Sequence, residues 1–306
     1  MQLPPDVRRA IEERAAKSDF HALKRAAAAL SEGYREGRPT RIVSESDVAA
    51  YLVTRMPATY AATRAALDAL PELEVASVLD LGAGAGAASL AARECFGGAR
   101  AFTLVERDPA LADAAREWLP DARVLVTDVA NLRELPPHDL VIAAYSLGEM
   151  PAGVATRMWE AARVAMVAIE PGTPRGAERI GEIRERLLAL GAHMAAPCPA
   201  AMPCPLTAPD WCHFAARVER SSLHRRLKGG ELGHEDEKYS YVAVTREPLP
   251  MAAARVLRHP RHHPGLIELE LCTPGGPRTE RVTKRDRERF RAARKARWGS
   301  SYSEGA

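Results

Sequence analysis

The sequence is poor in aromatic residues, at 5%, and has no long hydrophobic run. No window of about 18 uncharged apolar residues occurs, so no membrane-spanning helix is expected. The first residues, M-Q-L-P-P-D-V-R-R, lead into charged sequence with no apolar signal core, and a cytoplasmic location follows. There are five cysteines, an odd number. Cys95 stands apart and reads as a small buried hydrophobe. In a cytosolic chain the remaining cluster points to a metal site rather than a disulfide framework. No internal repeat is seen. Net charge is only +3, but residues 278–297 hold ten Lys or Arg against three Asp or Glu. The basic character therefore sits near the C-terminus, where it could meet a polyanion. A chain of 306 residues can bury a full α/β core plus a smaller unit.

Residues 78–86 read V-L-D-L-G-A-G-A-G. The pattern is a buried strand, a tight turn and a helix starting at Ala87. Glycines let the backbone turn sharply and let a ligand approach it. Asp80 precedes the glycines, and a carboxylate there would repel a pyrophosphate. It suits S-adenosylmethionine, which carries a sulfonium and an ammonium group. A second strand, Ala101–Glu106, ends on an acid placed to accept from both ribose hydroxyls. A third run, residues 124–127, ends at Asp128, placed for the adenine amino group. Three carboxylates at three consecutive strand ends say more than the glycines alone. The stretch resembles the class I methyltransferase fold, a Rossmann-like α/β architecture. The expected cofactor contacts are Asp80, Gly82, Ala83, Gly84, Gly86, Glu106, Asp128 and Tyr145.

Five regions follow along the chain. Residues 1–70 read as a helical cap, with Phe20, Leu23, Ala27, Leu30 and Tyr34 at helical spacing and a break at Gly37-Arg38-Pro39. Arg55 and Tyr60 could help cover the cofactor pocket. Residues 71–190 alternate strand and helix as a cofactor-binding core. Residues 191–238, rich in proline, cysteine and histidine, read as an insertion. Residues 239–285 give a closing strand and an antiparallel meander, and 286–306 a basic tail, disordered from Ser300.

Cys198, Cys204 and Cys212 have the spacing C-x5-C-x7-C, among prolines that forbid a helix. So short a segment, with few large apolar residues, has little core of its own, and a bound metal would supply a cross-link. Cys272 is the leading fourth ligand, with His213 and His224 as alternatives. The spacing does not fit zinc-knuckle pairs. Four thiolates from an irregular loop also suit a structural [4Fe–4S] cluster, with zinc as the alternative. Beside the cluster, Arg217, Arg220, Arg225, Arg226 and Lys228 could meet RNA phosphates, as could Lys284, Arg285, Arg294, Lys295 and Arg297 in the tail.

D-L-G-A-G-A-G, W-C-H-F-A-A-R-V-E-R, H-R-R-L-K-G-G, E-K-Y-S-Y-V and T-K-R-D together resemble the mitochondrial small ribosomal subunit protein Rsm family of methyltransferase-like proteins, which has bacterial members. The resemblance implies association with the small ribosomal subunit and its rRNA during assembly or translation. It also implies a [4Fe–4S] cluster on Cys198, Cys204, Cys212 and Cys272. A monomer is expected. No catalytic residue is assigned: A-Y-S-L-G-E-M stands where amino-methylating enzymes carry N/D-P-P-Y/F, and no cysteine nucleophile lies near the fourth or fifth strand. Tyr145 and Glu149 could line the acceptor site. The expected function is a methyltransferase-like ribosomal protein that binds S-adenosylmethionine, or an rRNA methyltransferase. The alternatives are a noncatalytic assembly factor and a small-molecule methyltransferase with a zinc-stapled lid.

Overall fold

Four helices lead the chain: α1 (Pro5–Ala15), α2 (Phe20–Glu36), α3 (Glu45–Thr54) and α4 (Met56–Leu67). Proline at the start of α1 gives up only an N–H that would lack a helical partner, and Val7, Ile11 and Ala15 bury one face at four-residue spacing. Ser44 caps α3 by accepting from the Asp47 amide. This computed structural model describes residues 1–36, 41–201, 203–206 and 209–303. The expected break at 37–39 and the Tyr34 side chain lie outside the described residues.

Strands and helices then alternate: β1 (Ser77–Leu81), α5 (Ala87–Cys95), β2 (Ala101–Glu106), α6 (Pro109–Trp118), β3 (Arg123–Val126), β4 (His138–Ala144), α7 (Val154–Ala161), β5 (Ala162–Pro171) and α8 (Pro174–Ala189). There follow β6 (His193–Ala196), β7 (Phe214–Glu219), α9 (Ser222–Lys228) and β8 (His234–Thr245). The main sheet runs β3-β2-β1-β4-β5-β8-β6, with β7 also on β8. Strands β1 to β5 are parallel, while β8 runs antiparallel to β5, β6 and β7. This is the Rossmann-like arrangement of the class I methyltransferase fold. Alternation splits β1 between two cores: Val78 packs under the N-terminal helices and α5, Leu79 and Leu81 under α7 and α8.

Residues 191–238 do not interrupt the sheet as expected, because β6 and β7 both belong to it. Tyr239 pairs with Pro171 of β5 on one edge of β8 and with Phe214 of β7 on the other. β6 pairs with residues 243–245 on that second edge. β6 and β7 are therefore one strand line, broken by the loop 197–213 that carries three cysteines.

A second sheet is built from β9 (Ala254–Val256), β10 (Arg261–His263), β11 (Leu266–Thr273), β12 (Gly276–Thr283) and β13 (Ser301–Tyr302). Ile267, Leu269 and Leu271 face a small core under α10 (Arg287–Lys295), and Cys272 falls on the opposite face. Buried Glu280 accepts from Arg289 at 2.6 Å, Arg278 at 3.0 Å and the Tyr302 hydroxyl at 3.1 Å. The tail expected to be disordered from Ser300 is thus ordered through Ser301 and Tyr302, which pair with β9; residues 304–306 lie outside the described residues.

Asp80 shows how the loop after β1 is fixed. Gly86 stands at the N-terminus of α5 and has no side chain to cap it. Asp80 reaches over from β1 and accepts from the Ser89 amide at 3.0 Å and the Ser89 hydroxyl at 2.7 Å. Burial pushes its carboxyl up to about 6 from the ordinary 3.8. The folded chain therefore holds this proton to higher pH than the unfolded chain. Its stabilising contribution is complete below the ordinary value and is lost as pH rises through about 6. Asp80→Asn keeps an acceptor and should flatten that decline in a urea-melt series from pH 4 to pH 7. Asp80→Ala strands the Ser89 donors and should cost about 1–3 kcal/mol.

Candidate functional site

The C-terminal ends of β1 to β5 open into one cleft of about 950 Å³, within the range of small-molecule sites. The glycine loop forms its floor. Gly84 has φ +55°, and a Cβ there would stand 2.4 Å from the Tyr51 hydroxyl. Gly82 has φ +63° and packs as tightly on Ser146, which donates to the Leu81 carbonyl at 2.9 Å. These two positions require glycine. Tyr51 comes from the helical cap, so the cap closes this end of the cleft. Of the two cap residues considered above, Arg55 lines the cleft and approaches the Tyr145 ring at 6.0 Å. Tyr60 does not line it and instead donates to Glu94 at 2.7 Å.

Glu106 ends β2 inside the cleft. One of its oxygens accepts from the Gly84 amide at 2.7 Å and the other from the Asp108 amide at 2.8 Å. Burial raises its pKa despite these bonds. Each oxygen keeps a lone pair for a further donor. Asp128 ends β3 in the same cleft and accepts from the Ala130 amide at 2.8 Å. Tyr145, with φ +59°, lines the cleft after β4. The expected cofactor residues Gly82, Gly84, Glu106, Asp128 and Tyr145 are thus gathered in one place. Asp80, Ala83 and Gly86 do not line it. The Asp80 carboxylate faces α5, so its geometry is that of a cap rather than a contact to a cationic ligand.

Sequence reasoning missed Tyr51, Glu170 and Arg179. Buried Glu170 ends β5, accepts from the Leu147 amide at 3.1 Å and pairs with Arg179 of α8 at 2.5 Å. A carboxylate ending yet another strand was the available signal. Glu149 is paired with Arg107.

The cysteine loop hangs from its two strand ends. Arg255 donates to the Pro197 carbonyl at 2.8 Å, Ser240 to the Cys212 carbonyl at 2.7 Å, and the Trp211 indole to the Gly172 carbonyl at 3.0 Å. Burial pushes the Cys212 thiol well up, and Cys198, Cys204 and Cys272 add to the shift. Cys272, likewise, is pushed up to about 11, by burial first and then by Cys198 and Cys204. Arg184 of α8 donates to the Ala200 carbonyl at 3.3 Å, and its charge acts on the Cys198 thiol. The charges of these cysteines and of Arg184, Arg255 and Arg258 thus act on one another's thiols. Among the described residues no group of three or more His, Cys, Asp or Glu stands in an arrangement that could hold a metal ion. Sulfur is the donor type that thiophilic metals take, but the expected four cysteines are not assembled into such a group among the described residues. The alternative fourth ligands are engaged elsewhere: His213 packs between Trp211 and Trp298, and His224 faces Glu235 at 3.3 Å.

The basic residues beside the loop do not point outward together. Arg220 and Lys228, with His224, converge on Glu235, and their pull outweighs burial to hold its carboxyl far below the usual range. Arg217 pairs with Asp236 at 3.0 Å, Arg226 lies over the Phe20 ring at 4.4 Å, and Arg225 is half-buried. The tail differs. Lys284, Arg285, Arg294, Lys295 and Arg297 are exposed, joined by Arg287 and Arg291, and make no ion pair among the described residues. No helix among the described residues is long and apolar enough to cross a membrane.

Gly84→Ala should cost about 1–2 kcal/mol for the positive φ and about 1–3 kcal/mol for the contact with Tyr51. Adding Tyr51→Phe removes the clashing oxygen and should recover the second share alone, as read by chemical denaturation of both variants.

Solved structures similar to this chain include a TehB-like SAM-dependent methyltransferase from Corynebacterium glutamicum, at 16% identity over 75% of this chain and 100% of that one, with a TM-score of 0.39. A SAM-dependent methyltransferase from Aquifex aeolicus is 13% identical over 67% and 99%, with a TM-score of 0.41. Precorrin-6y C5,15-methyltransferase from Geobacter metallireducens is 17% identical over 60% and 86%, with a TM-score of 0.38. No curated protein matches. A family model described as mitochondrial small ribosomal subunit Rsm22 matches residues 45–303, from the start of α3 through β13. That span takes in the glycine loop, all four clustered cysteines and the basic helix, and the chain belongs to the Rsm22 family.

Proposed function

We propose that this chain binds S-adenosylmethionine in the cleft, holds a [4Fe–4S] cluster on Cys198, Cys204, Cys212 and Cys272, and associates with the small ribosomal subunit through its rRNA in assembly or translation. The carrying observation is the cleft, where Glu106 and Asp128 stand at successive strand ends above the glycine loop. In this reading Glu106 accepts from the ribose hydroxyls, Asp128 from the adenine amine, and Gly82 and Gly84 give the methionine moiety access to the main chain. Bound there, the cofactor would supply an electrophilic methyl group. Tyr145 and Arg55 would wall the adenosyl side.

The ribosomal part rests on family membership and on α10. Arg287, Arg291 and Lys295 recur every four residues along its exposed side, while Glu280 fixes the helix through Arg289. Phosphates would meet these cations at a set orientation. Arg220 and Lys228, neutralised by Glu235, are left out of this interface. The cluster would draw together thiols that already influence one another, and Arg184 would offset its negative charge.

One observation favours the noncatalytic alternative: Glu149, the nearest acid after β4, is committed to Arg107. Labelled-methyl transfer to small subunits from cells lacking the protein decides between the two. Incorporation supports an rRNA methyltransferase, and its absence with intact cofactor binding supports an assembly factor.

Calorimetric titration with S-adenosylhomocysteine should show Glu106→Ala binding about 10- to 100-fold more weakly, the loss expected for a charged acceptor with two donors. Unchanged affinity would remove Glu106 from the site. Filter binding to small-subunit rRNA across a salt series should fall log-linearly, and Arg291→Gln with Lys295→Gln should reduce the slope by about 2. Salt-independent binding would remove α10 from the interface.

A further inference from the structure

Tyr51 brings a hydroxyl from the helical cap into the cleft. It stands near the end of α3, where Val48, Ala49, Ala50, Leu52 and Val53 are all buried. A helix packed on so many sides leaves its phenol little freedom, and the Arg55 amide, donating to the Tyr51 carbonyl at 2.8 Å, holds the backbone there. The ring lines the cleft and ends on the glycine loop. A Cβ on Gly84 would stand 2.4 Å from the hydroxyl oxygen and 3.3 Å from the carbon that bears it. That hydroxyl makes no hydrogen bond among the described residues, and it is not one of the polar atoms sealed from solvent. The Ser146 hydroxyl fills the corresponding space at Gly82 but is committed to the Leu81 carbonyl. Burial, and then the charge of Glu106, raise the Tyr51 pKa, so the phenol keeps its proton near neutral pH and stands as a donor.

The order of the sheet decides what reaches this hydroxyl. β3, β2 and β1 lie side by side, about 4.8 Å apart. Asp128 follows β3, Glu106 ends β2 and Gly84 follows β1, and Glu106 accepts from the Gly84 amide at 2.7 Å. A ligand with its adenine at Asp128 and its ribose at Glu106 therefore carries its 5′ substituent onward over the next loop, to Gly84 and Tyr51. In S-adenosylmethionine that substituent ends in an amino acid. A phenol donor suits its carboxylate, and Arg55, four residues on and lining the same cleft, adds positive potential. We infer that the Tyr51 hydroxyl is a specificity-determining contact that donates to the carboxylate of the ligand's amino-acid end. The cleft would thereby separate the complete nucleoside–amino-acid conjugate from nucleosides that lack the carboxylate. This rests on the functional reading above. A hydrogen bond to a charged acceptor is stronger than one between neutral groups, and a site built to make such a bond disfavours the analogue that cannot form it.

The test uses the full chain and calorimetric titration with three probes. These are S-adenosylhomocysteine, its decarboxylated analogue, which keeps the amine, and 5′-methylthioadenosine, which lacks the whole amino-acid end. Wild-type protein should bind S-adenosylhomocysteine at least about tenfold more tightly than the decarboxylated analogue, the discrimination expected of a charged hydrogen bond. Tyr51→Phe, which removes one oxygen, should weaken S-adenosylhomocysteine about tenfold and change the other two by less than about twofold. A merely structural role would weaken all three alike, and that outcome overturns the contact. Equal weakening of S-adenosylhomocysteine and the decarboxylated analogue overturns it as well, since the hydroxyl would then serve the amine. Circular dichroism melts accompany the titrations: a Tyr51→Phe chain that fails to fold makes the hydroxyl structural and also counts against the contact. The wild-type comparison stands without any variant, and equal affinity for the conjugate and its decarboxylated analogue overturns the proposal alone. Absence of binding by all three probes to wild-type protein overturns the functional reading and this contact with it.

Discussion

The molecule depends on strand β8. Twelve residues long, it runs against β5 on one edge and against β6 and β7 on the other. It ties the parallel core that holds the cleft to both segments that flank the cysteine loop. Its outer half is nearly all buried, with Tyr239 and Tyr241 packed against Phe214 at ring separations of 6.0 and 5.4 Å. A ladder shared among three partners is over-determined, and that rigidity lets an irregular, proline-rich loop sit beside a binding cleft without loosening it.

The charge distribution follows a similar division of labour. Glu235, Glu280, Glu170 and Glu106 are withdrawn from solvent, and each is matched by donors from more than one element. Breaking such a pair would leave a charge in low dielectric, so these contacts specify geometry more than they add net stability. Glu235 gathers α9 onto β8, Glu280 gathers α10 and β13 onto the second sheet, and Glu170 gathers α8 onto the cleft. On α10, Arg287, Arg291, Arg294 and Lys295 stay exposed.

Much of this was legible in the residues. The strand-loop-helix at Val78–Gly86, the acids after β2 and β3, and the alternation through residue 190 led to the observed core, because each signal is local. What was misread was non-local. β6 is only four residues, His-Met-Ala-Ala, too short to alternate, so its place in the sheet comes from β8 alone. Arg220 and Lys228 look like free cations in sequence; their partner Glu235 lies across the β7–β8 pairing. Asp80 looked like a ligand contact because the absence of a capping side chain at Gly86 is not visible until α5 is in place. Ser301 and Tyr302 have no strand signal of their own and are ordered by β9 and Glu280.

The collinearity of β6 and β7 has an evolutionary side. Because the chain leaves the ladder after Ala196 and rejoins it at Phe214 on the same edge, the described residues between them contribute no rung of their own. Insertions or deletions there would leave every pairing partner of β8 in register. The detour is a place where the chain can be lengthened or shortened while the sheet beneath it stays unaltered.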